Sequence, residues 1–125
     1  MNEKEWLDGL RHLSDSMIIK LHFELQEKIK KHYKLRADPR HLKAAIQFCE
    51  QQIALAPLSF KALKKTHEER IKEYELILGK SHPDSVFYAP AHHGYRQYST
   101  ILQRNKELKK LAEIETKRES EGWAK

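Results

Sequence analysis

Cysteine is almost absent from this chain of 125 residues, which contains only Cys49. A single cysteine excludes an internal disulfide and is typical of proteins that fold in a reducing compartment. Cys49 lies on an apolar helix face without a neighbouring base in the sequence. We therefore interpret it as a small buried residue and not as a nucleophile.

Glycine and proline are also scarce, with four residues of each. Apart from the short segment 86–88, no stretch alternates apolar and polar residues as a strand does. This composition predicts a single all-α domain, residues 1–125, built from five or six helices. Because the glycines are scattered, the sequence also contains no glycine-rich phosphate-binding loop.

Long hydrophobic runs are missing as well. No stretch approaches the roughly 20 apolar residues that a membrane-spanning helix needs. The first residues, MNEKEWLDGL, lack the charged and then apolar layout of a signal peptide. We therefore expect a cytoplasmic protein without a membrane partner.

The chain carries 24 Lys and Arg against 18 Asp and Glu, which gives a net charge of +6. Residues 1–36, 37–80 and 81–125 each contain eight basic and six acidic residues. A nucleic-acid surface usually concentrates its charge on one face, so this even spread disfavours one. The densest basic run is typical of a solvated helix face, and its alternative role is a site for phosphate or an acidic partner, where Tyr33 could add stacking. It comprises Lys28, Lys30, Lys31, Lys34 and Arg36.

The clearest helix signal lies between Asp38 and Pro57. Asp38 can cap the helix and Pro39 suits its first position. Apolar or small residues then recur at helical spacing and predict a central helix that contacts at least two others. They are Leu42, Ala45, Ile46, Cys49, Ile53 and Ala56. Pro57 disfavours the α conformation at Ala56 and predicts a helix end or kink there.

Similar periodicity predicts the remaining elements. A short helix is expected over 3–13, a first hairpin over about 16–56 and a connecting helix over 58–78 that ends at Gly79. An ordered loop follows. A second hairpin is expected over about 91–121, with Gly122 as its stop and Trp123 folded back on the last turn.

Two stretches resemble the tetratricopeptide repeat, a pair of antiparallel helices that stacks into a solenoid. The segment AAIQFCEQQIALAP, residues 44–57, resembles the second helix of a repeat. The segment GYRQYSTILQRNKELKKLAEI, residues 94–114, places large, large, small and large residues as a first helix does. Both stretches also resemble small uncharacterised bacterial helical proteins in which a GYxQ helix precedes a helix ending in Gly-Trp. The resemblance implies a degenerate repeat-like fold that binds peptides or partner proteins.

Eight histidines prompt a search for a metal site. No H-x-x-x-H spacing occurs, and His92 and His93 point about 100° apart on a helix. Because this spacing prevents easy joint chelation, we predict no metal, no cofactor and no catalytic residue. Convergence of His92 and His93 with His82 in the folded chain is the minor alternative. The glutamate pairs near residues 68 and 73 have Lys and Arg neighbours that neutralise them, so we expect a non-enzymatic protein.

The segment 82–98 concentrates aromatic and histidine side chains. Because Tyr and Trp dominate binding hot spots, we predict that this protein-interaction module binds its partner there. The predicted contact residues are Phe87, Tyr88, His92, His93 and Tyr95. Whether these rings are buried, which partner binds and what oligomeric state the protein adopts stay open at this point. A nucleic-acid-binding accessory protein that uses residues 28–36 is the alternative function.

Overall fold

The computed structural model describes residues 2–125 and confirms the all-α prediction. It contains five helices over that range: α1 (Glu3–Leu10), α2 (Asp15–Lys34), α3 (Pro39–Leu78), α4 (His93–Arg104) and α5 (Leu108–Glu121). A single parallel bridge between Ala91 and Ala124 ties the loop before α4 to the end of the chain. No helix in residues 2–125 combines the length and apolarity that crossing a membrane requires.

Local signals set most helix boundaries. The side chains of Ser14 and Asp38 accept hydrogen bonds from the first turns of α2 and α3, and Pro39 occupies the first turn of α3. Gly79 and Gly122 end α3 and α5 in the left-handed conformation that glycine adopts without strain. The start at Asp38 and Pro39 and the stops at Gly79 and Gly122 agree with the predicted ones.

Pro57 does not end the helix, so of the two predicted outcomes at Ala56, an end or a kink, the helix end is wrong. The connecting helix predicted over 58–78 is the second half of α3, and the whole helix has 40 residues. Proline in a helix interior removes one hydrogen bond and costs about 3 kcal/mol. Gln52 to Ala56 and Ser59 are all buried, so packing of this region offsets the cost of the proline.

Two buried clusters form the core. The first joins α2, α3, α4 and the C-terminal residues; it consists of Ile29, Cys49, Ile53, Ala56, Tyr95, Tyr98, Leu102 and Trp123. The second joins α2 and α3 through Ile18, Leu25, Leu55 and Ala62, and α1 packs on it through Trp6, Leu7 and Leu10. The prediction that the central helix contacts at least two others is confirmed, because α3 contacts α1, α2 and α4.

Helices α2 and α3 form an antiparallel hairpin, α4 packs against both of them, and α5 packs on α4. The Nζ atom of Lys65 lies 3.4 Å from a carboxylate oxygen of Asp15, so the start of α2 lies beside the middle of α3. The last turns of α3 therefore extend past the N-terminal end of α2. The loop that follows folds back on them, since His82 packs on Tyr74 with ring centroids 4.4 Å apart.

Candidate functional site

Tyr88 and Phe87, the two aromatic residues of the loop, lie in different environments. Tyr88 is 83% exposed. Phe87 is partly buried, with its ring 5.6 Å from those of Phe60 and His67 in α3. Phe87 thus anchors the loop on α3, and this anchor leaves Tyr88 in solvent.

His92 and Tyr95 do not lie on the surface, which corrects their placement among the predicted contact residues. Both are fully buried, and His93 is partly buried. The Tyr95 hydroxyl donates a 2.6 Å hydrogen bond to Glu121 and accepts one of 2.9 Å from Lys117. These residues close the core between α3, α4 and α5, so a partner cannot contact His92 or Tyr95 in this conformation.

Exposed apolar side chains concentrate near the end of α3 instead. We call residues 66–90, which are the last turns of α3 and the loop that folds back on them, the distal segment. Five of the nine large hydrophobic residues exposed in the described part of the chain lie within it. They are Leu76, Ile77, Leu78, Val86 and Tyr88.

One side of the distal segment forms a shallow cleft of about 350 Å³. Its walls are Arg70, Glu73, Tyr74, Ile77 and Leu78. Leu76, at 86% exposure, and Ile77, at 70%, are the two most exposed large aliphatic side chains in residues 2–125. The cleft therefore offers an apolar wall flanked by one cation and one anion.

The basic run of α2 borders two partly buried histidines, His32 and His93. Lys28 and Lys31 lie near His32, whose pKa is lowered by burial and then by the charges of His41, Lys31 and Lys28. Lys30 lies on the other side, where it and Arg96 of α4 lower the pKa of His93 after burial. The five basic residues are all exposed, and at about 100° per residue Lys34 lies between Lys30 and Lys31 on the solvent face of α2.

Two further contacts involve the aromatic neighbours of this run. The guanidinium carbon of Arg36 lies 4.5 Å from the centroid of the Tyr33 ring, and Lys28 lies over Phe48. Arg36 therefore covers one face of the Tyr33 ring, the kind of surface on which a base would stack. Lys30 also forms an ion pair of 3.6 Å with Glu27.

The buried interior carries little reactive chemistry. Burial raises the pKa of the Cys49 thiol to about 12, which keeps it protonated at neutral pH. His32 and His41 share a hydrogen bond of 2.9 Å between their Nδ1 atoms. Within residues 2–125, no three His, Cys, Asp or Glu side chains converge closely enough to hold a metal ion.

Sequence reasoning missed the buried polar residues His22, Gln52 and Ser59. His22 could have been found, because Ile18, His22, Leu25 and Ile29 follow helical spacing and form the buried face of α2. Gln52 and Ser59 carried the same signal, since they follow Ala45, Cys49 and Ala56 at helical spacing on the buried face of α3. The backbone carbonyl of Gln52 also accepts a hydrogen bond from His92, 40 residues further along the chain.

No protein-family model matches this chain, and comparisons with curated proteins and with solved structures found no similar protein.

Proposed function

We propose that this protein is a non-enzymatic interaction module of the helical-repeat type, and that its distal segment binds a polypeptide partner. The observation that carries the proposal is the exposure of five large apolar side chains between residues 76 and 88. Single exposed apolar residues are common, but a concentration of them marks an interaction site. The single cysteine favours a cytoplasmic location for this module.

The partner surface differs from the one expected from sequence. Tyr88 stays in it, while the aliphatic residues Leu76, Ile77 and Leu78 replace the buried His92 and Tyr95. Tyrosine loses little conformational entropy on binding, and leucine and isoleucine supply apolar area. Full burial of one such aliphatic side chain is worth about 1.5–3 kcal/mol, so a few of them suffice for a specific contact.

The packing order of the helices supports the repeat-like part of the proposal. Each of α2, α3 and α4 packs on the next helix in the chain, and α2 also contacts α4. Stacked helical hairpins have this pattern of neighbour contacts. The long extension of α3 and its returning loop separate the two hairpins, so the proposed repeat is a degenerate one.

A nucleic-acid-binding accessory protein is the second candidate, and the exposure of Lys28, Lys30, Lys31, Lys34 and Arg36 favours it. The even spread of charge along the chain lowers the expected affinity. We expect at most weak, sequence-independent binding that falls steeply with salt through counterion release. Tight binding at high salt that is lost on changing Lys30, Lys31 and Lys34 to Glu would reverse the ranking.

The test uses a distal variant, Leu76→Ser with Tyr88→Ala, and a control variant, Leu108→Ser. Leu108 is 63% exposed but lies in α5, outside the distal segment. Because all three side chains are exposed, both variants should melt within about 2 °C of the parent protein, which corresponds to roughly 0.5 kcal/mol.

Partner capture is then compared by quantitative pull-down at low and high salt. The parent and the Leu108→Ser protein should retain the same polypeptide, and the distal variant should lose it by tenfold or more, since about 1.4 kcal/mol is a factor of ten. Equal capture by the distal variant would contradict the proposed site. Capture of nucleic acid alone would favour the second candidate.

A further inference from the structure

Three aromatic rings from separate parts of the chain meet in the core. His22 lies in α2, His92 directly precedes α4, and Trp123 follows α5. The ring centroids of His22 and His92 are 5.3 Å apart, and those of His92 and Trp123 are 4.9 Å apart. His22 and Trp123 are parallel within 5° at 5.9 Å. We call these three residues, none more than 3% exposed, the ring cluster.

Both ring nitrogens of His92 are engaged in hydrogen bonds. Its Nδ1 accepts a hydrogen bond of 3.1 Å from the backbone N–H of Tyr95 and so caps the start of α4. Its Nε2 donates a hydrogen bond of 3.2 Å to the carbonyl oxygen of Gln52 in α3. This pair of contacts requires the neutral imidazole with its proton on Nε2. A proton on Nδ1 would remove the acceptor that caps α4.

The surroundings offer no negative charge to a protonated ring cluster. The ionisable groups that act on His92 are His22 of α2, Lys117 of α5 and its neighbour His93, all of which are cationic when protonated. Arg118 of α5 is also near, since its Nη1 donates a 2.9 Å hydrogen bond to the carbonyl oxygen of Trp123. Of the four glutamates of α5, Glu115 and Glu119 pair with Arg118, Glu121 pairs with Lys117, and Glu113 is exposed.

His22 is in a similar position. Its Nδ1 is buried without a hydrogen-bond partner among the described residues, and its backbone carbonyl accepts a hydrogen bond from Gln52. Protonation would place a second uncompensated charge 5.3 Å from His92. A buried charge without a partner is strongly unfavourable in a protein interior.

We propose that the ring cluster is an acid-sensitive contact that releases α4, α5 and Trp123 from the α2–α3 hairpin in mild acid. The hairpin remains folded because the second cluster, with Ile18, Leu25 and Leu55, contains no residue of α4 or α5. Neither cap at the starts of α2 and α3 involves a histidine. This inference concerns a different region from the distal segment and stands independently of the proposed function.

The direction of the pH effect follows from linkage. Burial lowers the pKa of His22 to about 4 and that of His92 to about 3, both below the ordinary value of 6.5. The open form therefore binds more protons, and opening becomes easier as the pH falls below about 6.5. At pH 5 each histidine should raise the opening equilibrium constant about 30-fold, and both together about 1000-fold. Above pH 7 the effect should be small.

Native-state amide hydrogen exchange on the full chain tests the proposal, with protection factors corrected for the intrinsic pH dependence of exchange. Between pH 7.5 and pH 5, protection in α4 should fall by roughly 1000-fold, while protection in α2 and the first half of α3 should fall less than about tenfold. Because Trp6 lies in the second cluster, a Trp6→Phe protein makes Trp123 the sole fluorescent reporter of the ring cluster. Its emission should shift to the red over the same pH range.

Two variants isolate the histidines. His92→Asn keeps an oxygen that can cap α4 but does not titrate, and His22→Phe keeps a ring against Trp123. Each should reduce the acid-induced loss of protection about 30-fold, and His12→Asn, at an exposed position, should behave like the parent. If one of the two variants is unfolded at pH 7.5, the pH response of the other still tests the proposal. An unchanged pH response in the folded variant, or parallel loss of protection in α2 and α4, would overturn the proposal.

Discussion

Gly94→Ala provides a direct test of how closely α4 approaches α3. A Cβ atom at Gly94 would lie 2.7 Å from Oε1 of Gln52, 3.0 Å from Cε1 of His92 and 3.2 Å from Cβ of Gln52. Gln52 cannot move aside freely, because it is fully buried and its Nε2 donates a 3.0 Å hydrogen bond to the carbonyl oxygen of His22. Overpacking of this kind costs about 1–3 kcal/mol, and a lost buried hydrogen bond adds about 1 kcal/mol. Since alanine regains up to about 1 kcal/mol of helix propensity, we expect a net loss of about 2 kcal/mol.

Urea unfolding followed by circular dichroism measures this loss, and Gly9→Ala is the matched control. A Cβ at Gly9, in the exposed α1, meets no atom within 4 Å. That variant should be as stable as the parent or up to about 1 kcal/mol more stable. Adding Gln52→Ala to Gly94→Ala should show a favourable coupling of about 1 kcal/mol, because Oε1 is removed. If Gly94→Ala and Gly9→Ala have the same free energy of unfolding, the close approach of the two helices is not what requires glycine.

Two further predictions concern stability. Ile53 is 6% exposed and belongs to the first cluster. Ile53→Asp should unfold the domain, because an unpaired buried carboxylate costs several kcal/mol. Helical circular dichroism at 25 °C that matches the parent would contradict the central-helix interpretation. Lys106 follows α4 with a φ of 58°, and the next residue, Glu107, donates a 2.9 Å backbone hydrogen bond to Leu102. Because glycine adopts this left-handed conformation without strain, Lys106→Gly should stabilise the protein by about 1 kcal/mol. A lower melting temperature in a thermal scan would show that the lysine side chain contributes more than the strain costs.

The helix starts and stops could be predicted from sequence because their causes are local. Asp38 and Pro39 lie within one turn of the groups that they cap or replace, and Gly79 and Gly122 adopt the backbone conformation that ends their helices. The buried face of the central helix was also predictable, since Ala45, Cys49 and Ile53 follow helical spacing. None of these inferences requires knowledge of a distant contact.

The exposed aromatic residues were harder to predict because burial of a ring depends on distant parts of the chain. His92 and Tyr95 are as aromatic and polar in sequence as Tyr88, yet His92 contacts Gln52 and Tyr95 contacts Glu121. Those contacts form only once α4 and α5 have packed on α3. The sequence therefore located an aromatic cluster but could not separate its buried rings from its exposed one.

The error at Pro57 bears directly on the candidate site. Had the helix ended at Ala56, residues 58–78 could have turned and laid Leu76, Ile77 and Leu78 on the bundle. Because α3 continues through Pro57, its direction is fixed by the buried residues on either side of the proline, and its last turns extend beyond α2. A helix rises about 1.5 Å per residue, so the residues from 66 to 78 reach nearly 20 Å beyond the point where Lys65 meets Asp15.

The returning loop covers His67 and Tyr74 through Phe87 and His82, and leaves the aliphatic residues at the end of α3 exposed. The packing that keeps Pro57 inside the helix is therefore also what holds the distal segment in solvent, where a partner can reach it.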